Sequence, residues 1–214
     1  MKTIAILGTG AVGQALATGF RKQGFEVVMG TQQPEKMIEW KDPSLASIPV
    51  KAYEEAAKAG ELITIAVKGA AAEGVVKSVV PSLSGKTVID VTNPIADAPP
   101  QDGVLKFFTS LDQSLMERLQ ALAPQANFVK AFNSVGNALM VNPDFGGIRP
   151  TMFICGNSGA AKREVEEILG KFGWEVADMG TAAAARAIEP LCILWCIPGF
   201  LRNDWAHAFK LLRK

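Results

Sequence analysis

The sequence has little histidine, tyrosine or cysteine, residue types that often carry acid–base, metal and disulfide chemistry. Its 214 residues include one histidine, one tyrosine and three cysteines. An odd, low cysteine count in a chain of this length argues against a disulfide framework, so we expect a cytoplasmic protein. Cys192 and Cys196 lie among apolar residues, and we interpret them as core. Because His207 is the single histidine, we predict neither a catalytic triad nor a metal site.

Excess charge and long apolar runs are also missing. The formal net charge is +1, which excludes a broad basic field for nucleic acid or anionic lipid. The most hydrophobic stretch, from Leu191 to Leu201, is shorter than the ~18 residues of a membrane span. With 49% hydrophobic and 20% charged residues, the chain can bury a sizeable core. We therefore expect one domain over residues 1–214 with a small-molecule partner, and neither a nucleic acid nor a membrane partner.

Apolar runs of strand length alternate with segments of helical periodicity. This pattern predicts an α/β fold with a doubly wound, mostly parallel sheet and helices on both faces. Strands are predicted at Thr3 to Leu7, Phe25 to Met29, Ser47 to Lys51, Leu62 to Val67, Thr87 to Val91, Asn127 to Phe132, Thr151 to Cys155 and Glu175 to Met179. Helices are predicted at Val12 to Gln23, Tyr53 to Ala59, Ala71 to Val79, Leu111 to Leu122 and Ala160 to Phe172, followed by a helical C-terminal extension at about 181–214.

A glycine motif follows the first predicted strand and opens the first predicted helix. The motif G-x-G-x-x-G is formed by Gly8, Thr9, Gly10, Ala11, Val12 and Gly13. Gly8 permits a tight turn, Gly10 lets the backbone approach a pyrophosphate, and Gly13 lets the helix pack close to the strand. The helix N-terminus then attracts the anion. The context predicts a dinucleotide site, and the alternative is a glycine-rich turn that only connects strand and helix.

The turn after the second strand lacks the acidic residue that is typical of NAD enzymes. Gly30, Thr31, Gln32 and Gln33 occupy its place. An Asp or Glu there would bind the ribose hydroxyls and repel a 2′-phosphate. Thr31 and Gln32 can donate hydrogen bonds, and Lys36 follows in the first turn of a helix predicted from Pro34. The turn therefore favours NADP, with NAD as the second choice, unless Lys36 is only a solvated surface lysine.

Small and amide-bearing residues follow several strands at the edge where an open parallel sheet binds ligands. After three strands come Lys68 and Gly69, then Thr92, Asn93 and Pro94, and then Asn133, Ser134 and Val135. These residues can line a flat ring and bond its carboxamide, although Asn93 and Pro94 also fit plain turn chemistry and Lys68 also fits a surface role. The long, breaker-rich loop from Thr92 to Ser110 is of the kind that carries function.

Six stretches together resemble the family of deazaflavin coenzyme F-420-dependent NADP oxidoreductases. They are GTGAVGQALATGF, the GT turn, VIDVTNP, VKAFNSVG, FICGNSGAAK and ARAIEPL. The resemblance runs from Met1 to about Leu201, and its wider kin include the cytosolic domains of membrane ferric reductases. It implies an NADP-binding Rossmann core. It places Gly8, Thr9, Ala11, Val12, Thr31, Gln32 and Lys36 around the adenylate half and phosphates, and Ala66, Val67, Asn93 and Asn133 on the nicotinamide side.

The resemblance also implies direct hydride transfer between the nicotinamide and a deazaflavin or flavin-like ring, with no protein acid or base. Members of the family often carry an arginine where this chain has Gln32, which predicts weak NADP selectivity. The tail from Pro198 to Lys214 matches least. With Trp195, Phe200 and Trp205 it either builds the second-substrate pocket or makes packing or homodimer contacts.

Two other functions fit the same residues. One is an imine or keto reductase of the pyrroline-5-carboxylate reductase type, whose pattern Lys68 in AVK fits. The other is a module that binds NADP(H) and signals to a partner without turnover, since such a module also needs no acid–base pair.

Overall fold

One eight-stranded sheet organises the chain in a computed structural model that describes residues 2–36 and 38–214. Its strands are β1 Thr3–Leu7, β2 Glu26–Thr31, β3 Val50–Ala52, β4 Leu62–Ile65, β5 Thr87–Asp90, β6 Asn127–Lys130, β7 Thr151–Gly156 and β8 Glu175–Asp178. The helices are α1 Ala11–Lys22, α2 Tyr53–Ala59, α3 Gly69–Leu83, α4 Leu115–Leu122, α5 Gly159–Lys171, α6 Ala185–Ile188 and α7 Leu191–Arg202.

The sheet is doubly wound, and the predicted fold class is confirmed. The strand order is β3-β2-β1-β4-β5-β6-β7-β8. Strands β1 to β6 pair in parallel, β7 is antiparallel to β6, and β8 is parallel to β7. The order reverses between β1 and β4, so a crevice opens beyond the carboxyl ends of these two strands. The glycine motif after β1 lies at that crevice.

Apolar side chains cover both faces of the sheet. Against one face pack Leu16 and Phe20 of α1 with Phe172 and Trp174 after α5. The other face is covered by side chains of α2, α3 and α4, among them Leu119. Helices on both faces leave the ends of the strands as the accessible edges of the sheet, which is where loops can form a site.

Helix α4 begins later than predicted. The prediction from Leu111 is wrong because Ser114 forms a capping box with Glu117, in which each side chain accepts from the backbone N–H of the other residue. This reciprocal pair satisfies two free donors and defines the helix start. The motif S-x-x-E was present in the sequence and could have located this boundary.

The turn after β2 and the end of α3 also differ from prediction. Residues Pro34 to Lys36 form a turn rather than the first turn of a helix, and the Lys36 N–H donates to the Gln33 carbonyl at 3.1 Å. Helix α3 continues past the predicted end at Val79, through Pro81, to Leu83. Pro81 removes one helical hydrogen bond, and burial of Leu83 offsets part of that cost in the last turn.

The chain after α7 folds back onto the protein. Asn203 ends α7 in the left-handed conformation, with φ 55°. The indole N–H of Trp195 then donates to the His207 carbonyl at 2.8 Å, and the imidazole Nε2 lies 2.9 Å from the Trp195 carbonyl. The prediction that His207 lies in a helix is therefore wrong. A left-handed Asn stops a helix because the following residues leave its axis.

The helical run Ala182–Arg202 has the length and composition of a membrane span. It contains 21 residues with a mean hydropathy of 1.4 over its apolar window, one third of which is buried. The stretch Leu191 to Leu201 is too short to span a membrane, but this longer run is not. The run nevertheless includes Glu189, which is buried against a lysine of β6, so part of it packs into the protein.

The loop from Thr92 to Ser110 packs against α7. Two isolated bridges, Ile95 to Phe107 and Gln101 to Val104, fold it into a hairpin-like excursion. Leu105 of this loop forms a small core with Trp195, and this core also holds Cys192 and Cys196. All three cysteines are free and buried, which agrees with their interpretation as core residues.

Candidate nucleotide-binding site

Two glycines of the motif are required by close backbone packing. Gly8 has φ 129°, and a Cβ built on it would lie 2.2 Å from the Ala66 carbonyl oxygen after β4. A Cβ on Gly13 would lie 2.2 Å from the Gly8 carbonyl oxygen. Any side chain would force these backbones apart. The turn and the close helix packing are therefore present, and Gly8 also brings the ends of β1 and β4 together.

Gly10 has a different environment. It is the N-cap of α1, and apart from its chain neighbours no heavy atom of residues 2–36 and 38–214 lies within 4 Å of a Cβ built on it. Within the same residues no side chain caps this helix end, and its first turn contains no acidic residue. The amides of Ala11, Val12 and Gly13 cannot bond within the helix. An open, uncapped helix N-terminus attracts anions through these amides and the helix dipole, so the loop fits a diphosphate.

Gln14 fixes the shape of the glycine loop, and the sequence prediction missed it. Its buried side-chain amide donates to the Thr9 carbonyl at 3.0 Å and to the Glu39 carbonyl at 3.1 Å. Its Oε1 accepts from the Lys41 N–H at 2.9 Å. These bonds connect the loop to the segment between β2 and β3. A glutamine on the buried face of an otherwise apolar helix was the available signal.

The residues predicted to select the cofactor lie at the end of β2. Thr31 ends the strand and is half-buried, while Gln32 and Lys36 are exposed in the following turn. Glu35 is exposed beside Lys36 and adds a carboxylate that the sequence argument left out. Lys36 thus offers an exposed positive charge with a neighbouring negative charge. The roles of these residues toward a 2′-phosphate stay predictions.

Asn93 and Asn133 form a pair that we call the asparagine clamp. The Asn93 side-chain amide donates to the Asn133 carbonyl at 2.8 Å, and the Asn133 amide donates to Asn93 Oδ1 at 3.3 Å and to the Ile188 carbonyl at 2.9 Å. Asn133 Oδ1 is buried with no partner among the described residues. A buried acceptor without a donor is unfavourable, and a ligand carboxamide N–H would satisfy it.

The backbone before the clamp is strained. Phe132 is buried with φ 62°, a conformation uncommon for bulky residues that clusters at functional sites. Its N–H donates to the sulfur of Met152 at 3.2 Å. This turn directs Asn133 away from the end of β6. The sequence prediction did not include Phe132, because a single residue type does not reveal a left-handed conformation.

The remaining predicted residues connect the clamp to the glycine loop. A Cβ on Gly69 would lie 1.9 Å from the Asn93 carbonyl oxygen, so the start of α3 lies against the end of β5. Ala66 and Val67 are half-buried just before it, Lys68 is the exposed N-cap of α3, and Pro94 is buried. The structure thus brings both predicted halves of the site to one edge of the sheet.

A buried charge cluster lies below the clamp, and the sequence prediction missed it. Lys130 of β6 is fully buried, and its Nζ lies 2.6 Å from Asp90 Oδ2, 3.0 Å from Glu189 Oε1 and 2.8 Å from the Thr92 carbonyl. Burial by itself lowers the pKa of Lys130, but the two carboxylates outweigh burial and the pKa is raised. The lysine therefore stays charged. The cluster's three charged residues come from three of the six stretches that carry the family resemblance, VIDVTNP, VKAFNSVG and ARAIEPL.

Helix α4 is attached to α6 and to the segment after it by two charged contacts. Glu189 accepts from the N–H groups of Leu115 and Met116, both at 3.0 Å. Arg186 donates to Glu117 through Nε at 3.1 and 3.0 Å and through Nη2 at 2.7 Å. The Arg186 guanidinium lowers the pKa of Glu117 to about 2. The second contact is partly exposed, whereas the first is buried.

The Arg186–Glu117 contact predicts an acid-sensitive contribution to stability. A lowered pKa stabilises the fold above the ordinary carboxyl value of 4.5, and this stabilisation is lost as the pH falls toward 2. We expect Glu117→Gln to lower the free energy of unfolding by about 1 kcal/mol at pH 7, because solvent screens this partly exposed pair. Denaturant titrations of both proteins at pH 7 and near pH 3 measure this difference. A difference that does not shrink at the lower pH would contradict the assignment.

Part of this site lies in a segment that matches a known protein family. Residues 3–94, which include β1, the glycine loop and Asn93, match the model of the family NADP oxidoreductase, coenzyme F420-dependent. The match covers the N-terminal part of the chain. Together with the relatives below, it confirms the resemblance drawn from the six stretches.

Individual relatives match nearly the whole chain. It is 34% identical over 203 residues to Metalloreductase STEAP3 of Rattus norvegicus, covering 92% of this chain and 38% of that protein. It is 24% identical over 201 residues to the F420-dependent NADP reductase of Methanocaldococcus jannaschii, covering 89% of each. A crystal structure from Arthrobacter sp. FB24, provisionally named an F420-dependent NADP reductase, superposes with a TM-score of 0.90 at 29% identity and covers 98% and 99% of the two chains.

These relatives differ in length. The chain spans 38% of the rat metalloreductase but most of the archaeal and Arthrobacter proteins. Their names also differ in the acceptor, a metal for the rat protein and F420 for the other two. The comparisons therefore support the cofactor class and the fold and leave the acceptor to a proposal.

Proposed function

We propose that the protein transfers a hydride between NADP(H) and a deazaflavin or flavin-like ring. The observation that carries the proposal is the open N-terminus of α1 at Gly10, which lies between two glycines that no other residue could replace. NADPH supplies a hydride from its nicotinamide when bound. A ring acceptor needs no protein acid or base at the transfer step, which agrees with the single histidine in the sequence.

The chain's own residues bind and orient the cofactor in this proposal. The amides of Ala11 and Val12 hold the diphosphate, and Gln14 keeps the loop in shape. The asparagine clamp meets the carboxamide through the free Oδ1 of Asn133, which fixes the exposed face of the nicotinamide ring. A fixed ring face supports transfer between two stacked rings because the reacting atoms must be held close.

A turnover assay with several acceptors tests the proposal. The protein is mixed with NADPH and, separately, with F420, FMN, FAD and a cyclic imine, and the loss of the nicotinamide absorbance is followed. We expect turnover with at least one of the deazaflavin and flavin acceptors. Gly10→Asp is the matched control, because it fills the open helix end. Turnover with the imine alone would favour the imine reductase alternative, and binding without any turnover would favour the sensing module.

The turn after β2 predicts how cofactor selectivity can be changed. Gln32→Arg is expected to strengthen NADP⁺ binding about 10-fold, because a guanidinium can bind a phosphate through two hydrogen bonds. Lys36→Ala is expected to weaken NADP⁺ about 3-fold and to leave NAD⁺ unchanged. Calorimetric titration with both cofactors measures these effects, with Lys22→Ala as the control lysine at the far end of α1. Equal changes for NADP⁺ and NAD⁺ would contradict the assignment.

The C-terminal aromatics give no direct support to a pocket. Trp195 stacks on His207 with ring centroids 5.1 Å apart, and Trp205 lies 5.6 Å from Trp195 and 5.2 Å from Phe200. These residues pack on one another, which fits the packing alternative. Trp195 also contacts the segment after the clamp, since a Cβ on Gly136 would lie 2.7 Å from its ring. We propose that the acceptor approaches from this side. A homodimer through the exposed α7 residues also stays a proposal.

A further inference from the structure

The ammonium group of Lys130 joins three separate segments of the chain. An ammonium has three N–H donors, and the three acceptors within 3.0 Å are Asp90 in β5, the Thr92 carbonyl after β5, and Glu189 between α6 and α7. The group is fully buried, so water does not compete for these donors. The Thr92 carbonyl accepts a hydrogen bond and the two carboxylates form ion pairs, so the position of each segment is tied to the same atom.

Each of these segments leads directly to the asparagine clamp. Thr92 precedes Asn93, and its N–H and hydroxyl both donate to Asp90 Oδ1, at 2.9 and 2.7 Å. The Thr92 carbonyl accepts from Lys130. All three polar groups of Thr92 are therefore held by the cluster. Asn93 follows with little freedom of its backbone, since its carbonyl also lies against Gly69.

Asn133 is tied to the cluster from two sides. Through the chain it follows Lys130 by three residues, including the strained Phe132. Through space its amide donates to the carbonyl of Ile188, the neighbour of Glu189. Glu189 in turn is held by Lys130 and by the first amides of α4. The orientation of Asn133 Oδ1 thus depends on where Glu189 holds the segment after α6.

From this arrangement we infer that Lys130, with Asp90 and Glu189, is a positioning residue for the nicotinamide half of the site. The inference rests on the proposed function, because it assumes that the asparagine clamp meets the carboxamide. The cluster acts only through Asn93 and Asn133. It lies away from the glycine loop and from the turn after β2, so it has no role in binding the adenosine half.

Because the cluster is separate from the adenosine half of the site, two ligands can distinguish a positioning role of Lys130, Asp90 and Glu189 from a general loss of structure. NADPH reaches the clamp, whereas adenosine 2′,5′-bisphosphate carries no nicotinamide. We expect Glu189→Gln to raise the Kd of NADPH about 10-fold and to leave that of the bisphosphate within about 2-fold. Thr92→Val is a milder second variant that removes one hydroxyl bond to Asp90, with an expected loss of about 3-fold for NADPH alone. Calorimetric titration at a temperature where circular dichroism shows each variant folded measures both ligands.

The matched control is Glu117→Gln. It also loosens the attachment of α4 to α6, but Glu117 does not contact Lys130, Thr92 or the clamp, so both ligands should bind as they do to the wild type. A double variant completes the test: in an Asn133→Ala background, Glu189→Gln should cost less than 2-fold in NADPH affinity, because its effect passes through Asn133.

The outcomes separate this inference from the proposed function. Equal weakening of NADPH and the bisphosphate by Glu189→Gln, no weakening of NADPH, or additive effects with Asn133→Ala would each overturn the positioning role while wild-type binding stands. Failure of the wild type to bind NADPH would overturn the proposed function and this inference together. The positioning role is supported if Glu189→Gln weakens the binding of NADPH but not of the bisphosphate, and if this effect largely disappears in the Asn133→Ala background.

Discussion

Gly10→Asp is expected to abolish useful NADPH binding while leaving the fold intact. The new carboxylate would occupy the open space at the start of α1, where it can cap the helix itself and repels a diphosphate. We expect a loss of roughly 100-fold or more in affinity, about 2.7 kcal/mol. The free energy of unfolding should change by only a few tenths of a kcal/mol, because Asp and Gly are both accepted at an N-cap.

Gly10→Asn separates charge from bulk. Asn is of the same size and also caps helices, but it carries no charge. It should weaken NADPH less than Asp does. Calorimetric titration and denaturant unfolding of the three proteins provide the measurements. Wild-type affinity in Gly10→Asp would contradict the placement of the anion, and equal losses in both variants would assign the effect to bulk alone.

Lys130→Met is expected to have the largest effect on stability. It leaves the Asp90 and Glu189 carboxylates buried without their partner. Removing one partner of a buried ion pair typically costs about 3–5 kcal/mol, because the remaining charge stays desolvated. Urea unfolding followed by circular dichroism measures the loss.

Lys162→Met is the control for a surface ion pair. Lys162 lies 2.8 Å from Asp178, whose side chain is 47% exposed. Exposed pairs typically contribute about 0–1 kcal/mol, so this variant should lose far less stability. If the two lysine variants lost the same amount, the interior cluster would not be the stabilising element described here.

Most of the fold could be predicted because its signals are local. Each continuous apolar run became a strand within a few residues of its predicted ends, and the glycine motif lies between β1 and α1 as expected. The presence of a glycine does not by itself show why a glycine is needed at that position. Gly8 is required by contact with the backbone of Ala66, and Gly13 by contact with the backbone of Gly8. At Gly10 a side chain would instead fill open space.

The charge cluster could not be predicted because its parts are far apart in sequence. Asp90, Lys130 and Glu189 each stand in an apolar stretch, and no spacing rule connects them. Only the pairing of β5 with β6 and the position of α6 bring their charges together. The left-handed conformations of Phe132 and Asn203 were equally hidden, since they depend on tertiary contacts of the following residues.

A crystal structure of the protein with NADP⁺ tests the central claim most directly. We expect diphosphate oxygens within hydrogen-bonding distance of the Ala11 and Val12 amides, and the carboxamide nitrogen within hydrogen-bonding distance of Asn133 Oδ1. A diphosphate bound elsewhere, or a nicotinamide turned away from Asn93 and Asn133, would contradict it.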